Sequence, residues 1–220
     1  MVFICVLANV RDPATATSDT ELMAAVRDGD LVQLGVLFER HHVGLFNFFL
    51  RLTGSRQLSE DLVQEAFIRI LKYRKSFRVA VPRASAAGAP SQAGDTSYGS
   101  VPGEFRPWLY KLARNAVAAH FRKHGRDHLP PGEPEERVCQ SPLALDEMRR
   151  AEDARLLRAA LLRLPYERRE VLLLSRFGEL RYDQIAEILG CSVGAVKLRV
   201  HRAVRQLREV FDGLAGRTSP

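Results

Sequence analysis

Cysteine is scarce in this chain, and Cys5, Cys139 and Cys191 stand far apart, with no C-x-x-C pair and no histidine at ligand spacing. That excludes a disulfide framework and a zinc finger, and it fits a reducing compartment such as the cytoplasm. A Gly-rich phosphate loop, a pair of carboxylates at metal spacing and a nucleophile beside a base are all missing, so no catalytic residue is expected. His41 and His42 are adjacent; on a helix they point about 100° apart and cannot share one ion. Neither a metal nor a cofactor is therefore expected. Long apolar runs are also absent. The opening MVFICVLANV is too short to span a bilayer and has no basic residue ahead of its apolar run, as a signal peptide would, so it reads as a disordered or accessory N-terminus. No membrane insertion is expected. Period-two alternation is lacking too, and strands are not needed to explain the pattern.

What is present is helical and basic. The chain has 220 residues, 46% of them hydrophobic, and a formal net charge of +7, which leaves room for one or two small cores and favours an anionic partner, most commonly nucleic acid. Helical patterning runs from about Thr20 to Phe77, resumes at Glu104 and ends near Arg126. Between these halves Arg78–Gly103, rich in Ala, Gly, Ser and Pro, reads as a flexible insertion. Asp127–Asp146, with four prolines and an acidic cluster, reads as an interdomain linker. The last block spans about Glu147 to Phe211. The expected architecture is all-α, two small helical domains joined by a flexible linker: 1–19 accessory, 20–126 the first domain, 127–146 the linker, 147–211 the second domain and 212–220 a tail.

The segment QIAEILGCSVGAVKLRVHRAV, Gln184 to Val204, is more specific. Ile185, Ile188 and Leu189 form an apolar stripe; Gly190 can take the left-handed conformation that ends a helix, and Ser192 can cap the next. The spacing predicts a helix, a tight turn and a second helix. Val193, Val196, Val200, Val204, Leu207 and Val210 recur at steps of three or four and should pack. Lys197, Arg199, His201, Arg202, Arg205 and Arg208 project elsewhere, and no acid interrupts them between Lys197 and Arg208. A helix entering a major groove needs this division, because its first turns reach base edges while its cations hold the flanking phosphates. Ser192, Lys197, Arg199, Arg202 and Arg205 are the candidate duplex-reading residues.

Two helices in the first block carry further signals. In SEDLVQEAFIRILK, Ser59 is the expected N-cap, with Glu60 and Asp61 at the positive end of the dipole. Leu62, Val63, Ala66, Phe67, Ile70 and Leu71 face inward. Asp61, Gln64, Glu65 and Ile68 face outward, and an isoleucine among polar residues hints at a protein contact. In EFRPWLYKLARNAVAAHFRKHGR, Phe105, Leu109, Leu112, Ala116 and Ala119 lie along one side. Arg106, Lys111, Arg114, Asn115, Arg122, Lys123 and Arg126 stand against the single acid Glu104, so this helix should lie on a phosphate backbone. Trp108 and Tyr110 either stack on an unpaired base or pack into the core.

Taken together these residues resemble a known family. Leu162–Glu209 looks like the fourth conserved region of bacterial sigma factors of the extracytoplasmic-function group, much of which other helix-turn-helix regulators share. DLVQEAFIRIL and FRPWLYKLARN, in that order upstream of it, resemble the second conserved region. The resemblance implies a promoter-specificity factor: Asp61, Gln64, Glu65 and Ile68 would dock on the β′ clamp helices of core RNA polymerase, and the C-terminal domain on the β flap. Trp108, Tyr110, Lys111, Arg114, Asn115, Arg122 and Lys123 would capture the opened minus-ten strand, and the helix-turn-helix would read the minus-thirty-five duplex. An anti-sigma factor is a further implied partner, and Met23 an alternative start.

The chain departs from the family pattern in its long insertion, and in Ala195 and Leu198, which stand where family members commonly carry Thr and Ser. Opening duplex costs roughly 1.4 kcal/mol per base step and stacking one base returns about 1 to 3 kcal/mol, so the isolated chain is not expected to melt DNA. A stand-alone helix-turn-helix regulator would account for the last block but leave the DLVQEAF and FRPWLYKLARN helices without a role. A nucleic-acid hydrolase would lack its chemistry.

Overall fold

The computed structural model describes residues 17–78, 104–125 and 145–216, with α5 side chains described from Glu152 onward. The N-terminal accessory segment through residue 16, nearly all of the insertion and most of the linker lie outside the described residues. Among the described residues there are helices and turns and no strand.

The first lobe comprises α1 (Asp19–Asp28), α2 (Val32–Thr53), α3 (Arg56–Tyr73), a 3-10 turn at Arg74–Ser76, and α4 (Phe105–His124). α1 opens on a capping box: Ser18 Oγ accepts from the Glu21 amide at 3.3 Å, and the Glu21 carboxylate accepts from the Ser18 amide at 2.8 Å. That satisfies donors a helix start would otherwise leave bare. Met23 and Val26 are fully buried. α3 begins one turn earlier than expected. Its N-cap is Ser55, which accepts from the Leu58 amide, while Ser59 is buried within the helix. Phe48, Phe49, Phe77, Phe105 and Trp108 fill the centre, with Phe77 edge-on to Trp108 at 5.2 Å.

The second lobe comprises α5 (Leu145–Arg163), α6 (Tyr166–Arg176), α7 (Tyr182–Leu189) and α8 (Val193–Leu214). Val171, Leu173, Leu174, Ile185, Ile188, Val196, Val200 and Ala203 form its core. The expected stripe on α8 needs correction: Val193 and Val204 are exposed, and Ala203 takes the buried place. At 100° per residue Val204 lies about 80° round the helix from Val196, outside the packed sector.

The two lobes touch. α2 packs against α5 and α6, and α4 against α7. Arg169 of α6, buried at 7% exposure, donates to the Leu52 carbonyl near the end of α2 at 2.6 Å and to the Leu162 and Leu164 carbonyls of its own lobe.

α1 belongs to the first lobe's fold. Asp19 pairs with Arg40 at 2.8 Å and His41 at 2.7 Å, Thr20 Oγ1 accepts from the Phe105 amide, and Leu22 is buried. A chain beginning at Met23 should therefore unfold more easily than one beginning at Thr17, by more than about 2 kcal/mol, since a buried leucine alone is worth that much. Thermal unfolding of the two chains checks this.

Candidate nucleic-acid interface

The helix-turn-helix forms as its residues dictate. Gly190 ends α7 at φ 64°, the left-handed conformation that side chains resist. Ser192 then starts α8, its Oγ accepting from the Ala195 amide at 3.2 Å. Ile185 and Ile188 are buried and Leu189 is packed against the same core, which fixes α7 beneath α8. Ser192, Lys197, Arg199, Arg202 and Arg205 are all exposed. Arg199 reaches back to Cys191 Sγ at 3.7 Å, and Arg205 leans toward Glu209 at 3.7 Å; neither contact neutralises the surface, because exposed pairs at that distance are weak. The result is a cationic helix face with its N-terminal turn free.

Ser192 caps α8, and the cap can be tested apart from any contact with DNA. Ser192→Ala should cost about 1 kcal/mol of stability through the lost cap. Ser192→Asp should keep the cap, and it weakens duplex binding only if this position lies against phosphate. Urea titration together with duplex binding reads both.

On α3, Asp61, Gln64 and Ile68 are exposed, Ile68 at 57%, and Glu65 is half-exposed with its carboxylate 2.7 Å from Arg69 Nε. The four share one face as their spacing requires. Leu62, Val63, Ala66, Phe67 and Ile70 are buried beneath them.

α4 differs from expectation. The stacking alternative for Trp108 is corrected: it is 2% exposed, among Phe77 and Phe105, and its indole Nε1 has no hydrogen-bond partner. Tyr110 is also buried, but at the lobe boundary, where its hydroxyl donates to the Phe177 carbonyl at 3.3 Å and burial pushes its pKa up to about 12. Arg114 donates to Glu170 at 3.1 Å and to the Ile188 carbonyl at 3.2 Å. Lys111 and Asn115 are half-buried, and Lys111 acts electrostatically on Glu187, whose pKa burial raises. Of the residues expected to hold the strand, Arg122 and Lys123, at the far end, are the exposed ones. The helix is therefore apolar inward toward α2 and α3, and its outward face is touched in part by the second lobe, with the Arg106 and Arg114 side chains still 40% and 36% exposed. Sequence reasoning did not find the residues that cover it, Glu170, Glu179, Arg181 and Gln184, because their partners lie dozens of positions away.

The chain is similar to known proteins over both lobes. Residues 37–86 match the family model described as Sigma-70 region 2, and residues 154–207 the one described as Sigma-70, region 4. The ECF RNA polymerase sigma factor SigL of Mycobacterium tuberculosis is 33% identical over 183 residues, covering 81% of this chain and 88% of its own. The RNA polymerase sigma factor YlaC of Bacillus subtilis is 27% identical over 175 residues, covering 79% and 88%. Among solved structures, CnrH in complex with the cytosolic domain of CnrY matches with a TM-score of 0.57 at 24% identity, over 90% of this chain and 99% of that one. The sigma factor RpoE in complex with the anti-sigma factor NepR, from Bartonella quintana, matches with a TM-score of 0.54 at 23% identity, over 86% and 98%. These two support the all-helical, two-lobed fold. Two lobes in this order, each matching its own conserved region, leave one conclusion: the chain belongs to the sigma-70 family, in its extracytoplasmic-function group, and directs RNA polymerase to promoters.

Proposed function

We propose that α8 enters the major groove of the minus-thirty-five element, that α4 holds the opened minus-ten strand, and that the Asp61, Gln64, Glu65 and Ile68 face of α3 docks on the polymerase clamp helices. The observation that carries this reading is the pairing of an exposed cationic recognition helix on one lobe with an exposed acidic and apolar face on the other. The first suits phosphate and base edges; the second suits a protein. A stand-alone regulator has no use for the α3 face. The reading includes contact of the second lobe with the β flap and the absence of any chemistry of the chain's own. It also includes work in the cytoplasm, and capture by an anti-sigma factor of the kind seen with RpoE and NepR.

Reach is compatible with this. The minus-ten and minus-thirty-five elements are about 25 base pairs apart, roughly 85 Å along B-form DNA. The stretch from Gly125 to Leu145, roughly twenty residues, extends at most about 70 Å, and α4 and α8 add their own lengths of about 30 Å.

Run-off transcription with core polymerase on a mixed promoter template tests the proposal. New discrete transcripts that need both the chain and an intact minus-thirty-five element support it; transcripts insensitive to that element would remove α8 from its assigned place. Replacing Arg199 or Arg202 by Ala should weaken promoter binding by about 1 to 3 kcal/mol. A base-reading residue loses discrimination at one position, whereas a phosphate-holding one loses affinity for all sequences and flattens the salt dependence.

A further inference from the structure

We propose that Leu198 is a specificity residue: on α8 it reads the 5-methyl group of a thymine in the minus-thirty-five element, while Lys197 and Arg199, on either side of it, hold the flanking phosphates. The inference rests on the placement of α8 in that major groove and deepens it, because it names a base.

The packed side of α8 is set by Val196, Val200 and Ala203, all buried. At 100° per residue Leu198 points about 170° away from the middle of that side. It is 49% exposed and, as the sixth residue counting from Val193, lies in the first two turns, the part of a recognition helix that reaches base edges. A single exposed leucine on an ordinary surface needs no explanation. The surroundings of this one set it apart. Gly194 and Ala195, one turn earlier, are small, and Ser192 Oγ, at 3.9 Å, is all that a side chain begun at Gly194 would meet. No bulk on that side keeps the leucine from the floor of a groove. Arg202 and Arg205, one and two turns later on nearly the same line, are exposed.

Leucine has neither a donor nor an acceptor. It cannot bind phosphate, nor can it pair with the N7 and O6 of guanine, the N7 and N6 amine of adenine or the N4 amine of cytosine. Covering any of those edges with an isobutyl group strips water from a polar group and returns no hydrogen bond. Thymine is the exception, since its 5-methyl group offers the major groove an apolar contact. One side chain thus favours thymine and penalises the other three bases, and both halves of that difference make it selective.

The cations divide accordingly. Lys197 and Arg199 are exposed and lie about 100° to either side of Leu198, aimed at the walls of the groove, where the phosphates run. Arg202 lies only about 40° from Leu198 and about 6 Å further along the axis, close to two base-pair steps of about 3.4 Å each. It is the cation placed to read a base near the thymine.

The test uses the full chain with core RNA polymerase and a promoter found by run-off transcription. Each thymine of its minus-thirty-five element is replaced singly by deoxyuridine, which pairs identically and lacks only the methyl group. One such replacement should weaken holoenzyme binding about three- to five-fold, the size expected for one buried methyl group. With Leu198→Ala the same replacement should have no effect, and the preference for thymine over cytosine at that position should be lost. A promoter set with no shared thymine in the element, a parent chain indifferent to every deoxyuridine, or a methyl effect that survives unchanged in Leu198→Ala overturns the inference. The deoxyuridine arm uses the parent chain, so it stands however the variant folds. Scrambling the whole element separates the two readings. If scrambling abolishes the transcripts while every deoxyuridine is tolerated, Leu198 alone is misassigned; if scrambling is harmless, α8 is not in that groove.

Discussion

Asp61→Lys combined with Glu65→Lys should abolish binding to core RNA polymerase while leaving the chain folded. Both residues sit on the outward face of α3, with the buried residues Leu62, Val63, Ala66 and Phe67 on the other side of the same turns. The folding cost is small. Glu65 loses its (i, i+4) partner Arg69, an interaction worth about 0.3 to 0.5 kcal/mol on a helix. The binding cost is large, because two acids become two cations at the proposed docking face, which reverses whatever charge complementarity the acids supply, and mismatched charges across an interface cost several kcal/mol. A loss of a thousand-fold or more in affinity is the expectation. Fluorescence-detected binding to core enzyme, with circular dichroism as the check on folding, measures it. Undiminished co-elution of the folded double variant with core enzyme would move the docking face elsewhere. Ile68→Ala should cost less, since it deletes apolar contact without introducing repulsion.

Trp108→Ala should destabilise the first lobe by about 3 to 5 kcal/mol, a large share of the stability a domain of this size possesses. Trp108 is enclosed by Phe77 and Phe105 and reaches solvent with 2% of its surface. Truncation leaves a cavity that rigid aromatic neighbours cannot fill. Trp108→Phe should be far milder, since the ring is partly replaced and the indole Nε1, which has no partner, surrenders no hydrogen bond. Urea unfolding of the three proteins decides the matter. If Trp108 instead stacked on an extruded base, Trp108→Ala would leave the unfolding midpoint unmoved and reduce single-strand binding. Tyr110 responds differently. Its ring packs edge-on to Phe48 at 5.2 Å, but its hydroxyl belongs to the lobe boundary, so Tyr110→Phe should spare the first lobe's fold and loosen only the contact between the lobes.

Much of this could be read locally. The turn between α7 and α8 is visible in Gly190 and Ser192 because a left-handed end and an N-cap are made by single residues. The α3 faces follow from period alone, since a helix 3.6 residues per turn sorts its side chains before any neighbour is known. The start of α3 differs from expectation for the same local reason: Ser55 and Ser59 are both good caps, and local sequence has no means of choosing between them. The choice falls to packing, which buries Ser59 beside Thr53 with their hydroxyls 3.3 Å apart.

The helical stretches, the apolar face of α3 and the start of the recognition helix follow from residues within a turn or two of each other, whereas the α8 stripe does not, since Val193 and Val204 are exposed and Ala203 is buried. Only the tertiary structure decided the fate of α4. Its cations look free along the chain, yet Arg114 meets Glu170 and Ile188, and Glu104 meets Arg181 and Gln184, across separations no periodicity encodes. A side chain's exposure is set by whatever surface packs against it, and for α4 that surface is the other half of the molecule.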